Sequence, residues 1–212
     1  MIQASHVLVV GSSGRNSGKT LFVSALIRKF RDVAPIVGAK VTAIAQRDGA
    51  CPRGGGGCGV CTSFEGTYSI TEEGVGAGRK DTERLAAAGA QRVYWLRVLK
   101  DYLEEGARAL LECAGPHALI ICESNSLRTV MEPGLFFMLQ PQGVNAMKRS
   151  ASQVRRCADR LVIFDGQGFD FDLDDIRIVD GRWALRRPTT ANTGMRERTT
   201  STPGIISHDS LL

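Results

Sequence analysis

The chain has 212 residues, 43% of them hydrophobic and 23% charged, with a formal net charge of +5, which suits one α/β domain with an appendage and a proper core. The longest apolar runs, Ala118–Cys122 and Leu135–Leu139, fall far short of a membrane span, and no basic segment followed by a long apolar stretch opens the chain, so a cytoplasmic protein with no membrane partner is expected. Basic residues are scattered, with Arg182, Arg186, Arg187, Arg196 and Arg198 near the C-terminus, and aromatics make up only 6%, so a nucleic-acid partner is not expected.

The first readable unit is His6–Phe30. Val7-Leu8-Val9-Val10 predicts a buried strand, Gly11-Ser12-Ser13-Gly14-Arg15-Asn16-Ser17-Gly18 a loop, and Lys19-Thr20 the start of an amphipathic helix. That order is the context of a phosphate-binding P-loop. Gly14, Arg15, Asn16, Ser17 and Gly18 would present backbone N–H groups to a polyphosphate, Lys19 would reach its terminal phosphates, and the Thr20 hydroxyl would ligate Mg²⁺. Ser13 stands where the pattern's first glycine is usual, with glycines at 11 and 14 on either side. Leu21, Phe22, Ala25, Leu26 and Phe30 give the helix one apolar face, and Pro35–Ile44 predicts a second strand.

Residues 45–79 change character and are expected to form a long Gly/Cys-rich insertion loop, functional rather than a plain connection. Cys51, Cys58 and Cys61 crowd it with a C-x-x-C pair, a spacing that chelates Zn²⁺ or an iron–sulfur cluster, although no nearby His or Cys supplies a fourth ligand. Free thiols are the other reading. Cys122 is expected to be an inert core thiol, and Cys113 and Cys157 likewise.

Lys80–Ala90 predicts a short helix with Asp81 or Thr82 near its N-cap. Lys80 and Asp81 could meet an anionic ligand there, or Asp81 could be a plain cap; spacing leaves both open. Val93–Val98 predicts a strand, Leu99–Cys113 a helix stopped by Gly115-Pro116, and His117–Cys122 a buried strand ending in Glu123. A carboxylate in that position can hold Mg²⁺ or orient a nucleophile, as a Walker B acid does; a solvated strand-end glutamate is the alternative. The polar run Ser124-Asn125-Ser126 would line the same rim. Leu135–Leu139 and Leu161–Phe164 predict further strands around a helix over Ser150–Arg160, and Asp180-Gly181 marks a β-hairpin of Ile176–Val179 and Arg182–Arg186. The alternation predicts an α/β fold: a P-loop NTPase with a mostly parallel sheet, helices on both faces and a C-terminal β-hairpin. The domain is expected to span 1–187, with 188–212 a disordered tail.

Three segments, GSSGRNSGKT, GRKDTERLAAAGAQRVYWL and the glutamate closing ALIIC, together resemble the molybdopterin-guanine dinucleotide biosynthesis protein B family. That family belongs to the signal-recognition/MinD-like class of P-loop NTPases, and the likeness runs in element order over residues 5–165. The resemblance implies a GTP-binding, typically dimeric accessory protein for molybdenum-cofactor biosynthesis with weak hydrolysis, working beside molybdopterin-modifying or molybdoenzyme-maturation proteins. It places Gly14–Thr20 on the phosphates, Lys80 and Asp81 in the ligand or metal site, and Glu123 as the Walker B acid. Gln140-Pro141-Gln142-Gly143 stands where a guanine-reading Asn-Lys-x-Asp would follow Leu135–Leu139, so GTP over ATP rests on the resemblance alone. Two rival functions share the same opening: a metal-delivery NTPase carrying its cargo on Cys51, Cys58 and Cys61, and a small-molecule kinase, whose substrate pocket opposite the terminal phosphate would involve Lys80 and Arg84.

Overall fold

The computed structural model describes residues 1–45, 66–76, 80–144 and 147–186. The N-terminal half runs β1 (Ile2–Ser12), α1 (Lys19–Phe30), β2 (Ile36–Ile44), β3 (Tyr68–Glu72), α2 (Asp81–Ala87), β4 (Arg92–Leu99) and α3 (Leu103–Ala114). It continues through β5 (Leu119–Glu123), β6 (Met131–Pro141), the single-turn α4 (Arg149–Ser152), β7 (Arg160–Phe164) and the strands β8 (Ile176–Val179) and β9 (Arg182–Leu185). Seven strands form one sheet in the order β3-β4-β2-β5-β1-β6-β7, parallel throughout except for the antiparallel edge strand β3, while β8 and β9 form a separate antiparallel hairpin. Asp180 and Gly181 both take positive φ, 50° and 70°, which a two-residue hairpin turn requires.

The near-continuous apolar runs of the central strands follow from burial on both faces. Strand alternation sends Val7, Val9, Ile120, Cys122, Phe136 and Met138 to one core, closed by α3 and by Leu127, Ala151 and Val154. Leu8, Val10, Ile121, Leu135, Phe137 and Leu139 go to the other, closed by α1, α2 and the hairpin, whose Ile176 and Trp183 are buried there. The hairpin thus takes a place on the sheet that a helix would fill elsewhere in the fold.

Its attachment depends on an irregularity in β1. The β1–β6 register shifts between Ala4 and Leu8, and the His6 carbonyl accepts a hydrogen bond from Trp183 Nε1 at 2.9 Å. Gly134 faces the shift in β6, where a side chain would overlap the Ser5 carbonyl. Gly134→Ala is expected to cost about 3 kcal/mol, since backbone cannot step aside as a side chain can. Urea denaturation with an unchanged m-value would show it.

Three sequence expectations are corrected by the fold. Residues 68–72, assigned to the insertion loop, form β3, which pairs with β4 through Tyr68↔Val98 and Ile70↔Leu96. The helix expected over Ser150–Arg160 is one turn of α4 followed by a 3-10 turn at Arg155–Cys157. Its buried residues, Ala151 and Val154, are three apart, the period of a 3-10 turn, and Asp159 then draws the chain back to the sheet by accepting from Phe136 N at 2.7 Å. Cys113 and Cys157 are exposed, not core thiols, whereas Cys122 is buried as expected and burial pushes its thiol pKa well up. Cys51, Cys58, Cys61 and the C-terminal tail lie outside the described residues. Among the described residues no helix is long and apolar enough to cross a membrane.

Candidate functional site

The carboxyl ends of β1, β2 and β5 meet at one rim, and their register sets a row of side chains across it. Val10 lies beside Glu123, and Glu123 beside Lys40. Glu123 has the same parity as Leu119 and Ile121, so its side chain faces the α1 and α2 side of the sheet. It is only 4% exposed, a depth at which a carboxylate needs partners. Lys19 Nζ, at the start of α1, donates to Glu123 Oε1 at 2.5 Å, and the Thr20 hydroxyl lies 3.0 Å from Glu123 Oε2.

The loop before α1 is held at both ends. Ser12 N donates to Asn125 Oδ1 at 2.6 Å and Asn125 Nδ2 returns a bond to the Ser12 carbonyl at 2.9 Å. Ser13 N donates to the Leu139 carbonyl and Lys148 N to the Ser13 carbonyl. Gly11 leaves room for this arrangement: a Cβ there would come within 2.8 Å of Asn125 Oδ1. Asn16 and Gly18 then turn through positive φ, 54° and 71°, into the helix. Gly18 is the N-cap, no side chain caps α1, and its first turn carries no acid. The first N–H groups of α1 are therefore left open with the positive end of the helix dipole behind them, the arrangement an anion fits.

Asp81 answers the question its spacing left open. Lys80, not Asp81 or Thr82, is the N-cap of α2, and the Asp81 carboxylate turns inward. Its Oδ1 lies 3.1 Å from the Thr20 hydroxyl, and its Oδ2 accepts from Lys40 Nζ. Close packing of α2 on β2 allows this, because Gly38 presents no side chain beneath Leu85 and Ala90. Burial alone would raise the Asp81 carboxyl, but Lys40, with help from Thr20 and Lys19, outweighs it and holds the group below the ordinary carboxylate value. A lowered folded-state pKa means that ionised Asp81 adds stability above its unfolded value of about 3.9, lost as pH falls through the folded one. Asp81→Asn is therefore expected to flatten the acid limb of the stability profile below about pH 4, measured by thermal unfolding across pH.

Thr20 Oγ1 has one proton and two carboxylates within hydrogen-bond distance, so the three groups present more acceptors than donors to one point. Hard oxygen ligands in that number fit Mg²⁺, which binds through one or two carboxylates and leaves positions for phosphate and water. Among the described residues no group of three or more His, Cys, Asp or Glu is assembled, so a closed all-protein metal cage is not what the donors form there. The adjoining cavity, about 440 Å³, is lined by Gly14, Asn16 and Gly18 with Arg15, Lys19, Arg84 and Lys148 against the two carboxylates Asp81 and Glu123. Among its described lining residues four cations stand against two carboxylates, a balance that favours an anionic ligand.

Of the residues singled out in the sequence, Gly14, Arg15, Asn16, Ser17, Gly18, Lys19, Thr20, Asp81 and Glu123 all line this cavity. Lys80 does not: its side chain is exposed and its Nζ sits 3.5 Å from Glu73 Oε2. Lys40 takes the position Lys80 was expected to hold, Arg84, singled out for a kinase pocket, lines the cavity, and Lys148 is added. The sequence signal for Lys40 was a lone lysine within the apolar strand Ile36–Ile44. No family model, no curated protein and no solved structure matches the chain.

Proposed function

We propose that this chain is a P-loop nucleotide-binding protein that holds a nucleoside triphosphate with Mg²⁺ and hydrolyses it slowly. The observation that carries the reading is the convergence of Lys19, Thr20, Asp81 and Glu123 at the mouth of an uncapped helix behind a loop with two left-handed residues. Loop and helix N–H groups would bind the phosphate oxygens, and Lys19 would leave Glu123 for the terminal phosphates. Thr20, Asp81 and Glu123 would hold Mg²⁺, which when bound neutralises phosphate charge as it develops on the leaving group. Lys40 keeps Asp81 ionised and turned toward Thr20, so it is a positioning residue.

Guanine as the base, and a place in molybdenum-cofactor biosynthesis, rest on the resemblance of the three sequence segments. Calorimetric titration of the full chain with Mg²⁺–GTP and Mg²⁺–ATP tests the reading in two stages. Binding of either triphosphate supports the phosphate site, a preference for GTP supports the family, and binding of neither removes both.

A further inference from the structure

A second cavity, about 390 Å³, opens on the opposite face of the same rim. Ala43 and Leu103 give it an apolar floor continuous with the α3-side core, while Lys100, Ser126, Arg149 and Ser150 stand around it. Among the described residues its lining contains no Asp or Glu. Lys100 follows β4 and Arg149 opens α4, so the two cations reach it from separate elements, and neither forms an ion pair with any described residue. Two cations from separate elements, flanking a hydroxyl-bearing pocket with an apolar floor and no acid among its described lining residues, match an organic anion.

Hydrogen bonds of Asn125 link the linings of the two cavities. Asn125, which ties both backbone groups of Ser12 at the head of the first loop, also reaches Ser150 Oγ at 3.5 Å, and its neighbour Ser126 lines the second cavity. We infer that the Lys100–Arg149 cavity binds a small organic phosphate as a second ligand, beside the nucleotide and across Asn125 from it. A phosphate monoester offers enough acceptor oxygens for a guanidinium, an ammonium and two hydroxyls at once, and its organic part would cover Ala43 and Leu103. Only its role as a companion to nucleotide rests on the preceding proposal; the pocket itself does not.

The test is a titration of the full chain with phenyl phosphate, followed by backbone amide NMR, with phenol as the uncharged comparison. It is run on the unmodified protein and on Lys19→Ala, in which binding at the first cavity is impaired. Shifts centred on Ser126, Thr129 and Ser150, kept in Lys19→Ala and absent with phenol, are expected. Lys100→Gln and Arg149→Gln should each weaken binding about tenfold, the scale of one charged hydrogen bond. Both side chains are exposed, so neither variant threatens the fold. Equal affinity in the double variant, shifts confined to Ser13–Thr20, or no binding at millimolar probe would each overturn the inference. Failure of the nucleotide reading is read separately, from titration of the same samples with Mg²⁺–GTP and Mg²⁺–ATP.

Discussion

Lys19→Ala is expected to weaken Mg²⁺–GTP binding by about two orders of magnitude, because a charged hydrogen bond to phosphate is worth about 1.5–3 kcal/mol and Lys19 would make more than one. The same substitution should also lower the stability of the nucleotide-free protein. Lys19 Nζ lies 2.5 Å from Glu123, whose side chain is 4% exposed, and removing the ammonium strands a buried carboxylate with Thr20 as its remaining partner. Because Lys19 itself is a quarter exposed, the loss falls below that of a fully buried pair, at about 2 kcal/mol. Lys19→Arg separates the two effects. It restores a positive partner for Glu123 and hence much of the stability, but a planar guanidinium cannot follow the path of a compact ammonium into the loop, so affinity stays low. Titration and urea denaturation on both variants give the four numbers required. An alanine variant that binds as tightly as the parent would remove Lys19 from the site.

What could be read from the sequence follows from how locally each feature is encoded. Val7–Val10, the small polar loop and the helix after Lys19 are contiguous, so apolar runs and turn residues define them without tertiary information. Glu123 was visible because it closes an apolar run in sequence as it does in space. Lys40 was not, since its relevance comes from the β2–β5 register that sets it beside Glu123, and register is a property of two strands. Lys148 enters the cavity from the segment after β6, a position fixed by packing alone, whereas Arg84 lies one turn into the same short helix as Asp81 and could be singled out from the sequence. β3 was hidden by its setting: Tyr68–Glu72 alternates as a strand should, but glycine-rich sequence on both sides masks a stretch only five residues long. The Asp81 ambiguity was a true one at the level of spacing, because a first-turn aspartate can cap a helix or turn away from it. Lys40 and Thr20 decide the outcome.

Glu123→Gln should move two measurements in opposite directions. Glu123 holds Lys19 with one oxygen and meets Thr20 with the other, so under the proposed reading it would compete with phosphate for the Lys19 ammonium. Glutamine keeps the shape and removes the charge. Binding of GTP without Mg²⁺ is expected to rise by up to about tenfold, since a partly exposed ion pair no longer has to be broken first. With Mg²⁺ present, one of the two carboxylates near Thr20 is gone, and phosphate release should fall by about a hundredfold, in the range seen when one preorganised charge-stabilising group is lost. Asp81→Asn provides the contrast, because Asp81 is paired with Lys40 and not with Lys19: it should weaken Mg²⁺-dependent binding without raising affinity in EDTA. A glutamate that merely ended a strand would leave both of its readings unchanged, and one that served only stability would lower both. Opposite signs require that Glu123 restrain Lys19 before a nucleotide binds and serve the metal afterwards, so a titration in EDTA beside phosphate release in Mg²⁺ reads the exchange directly.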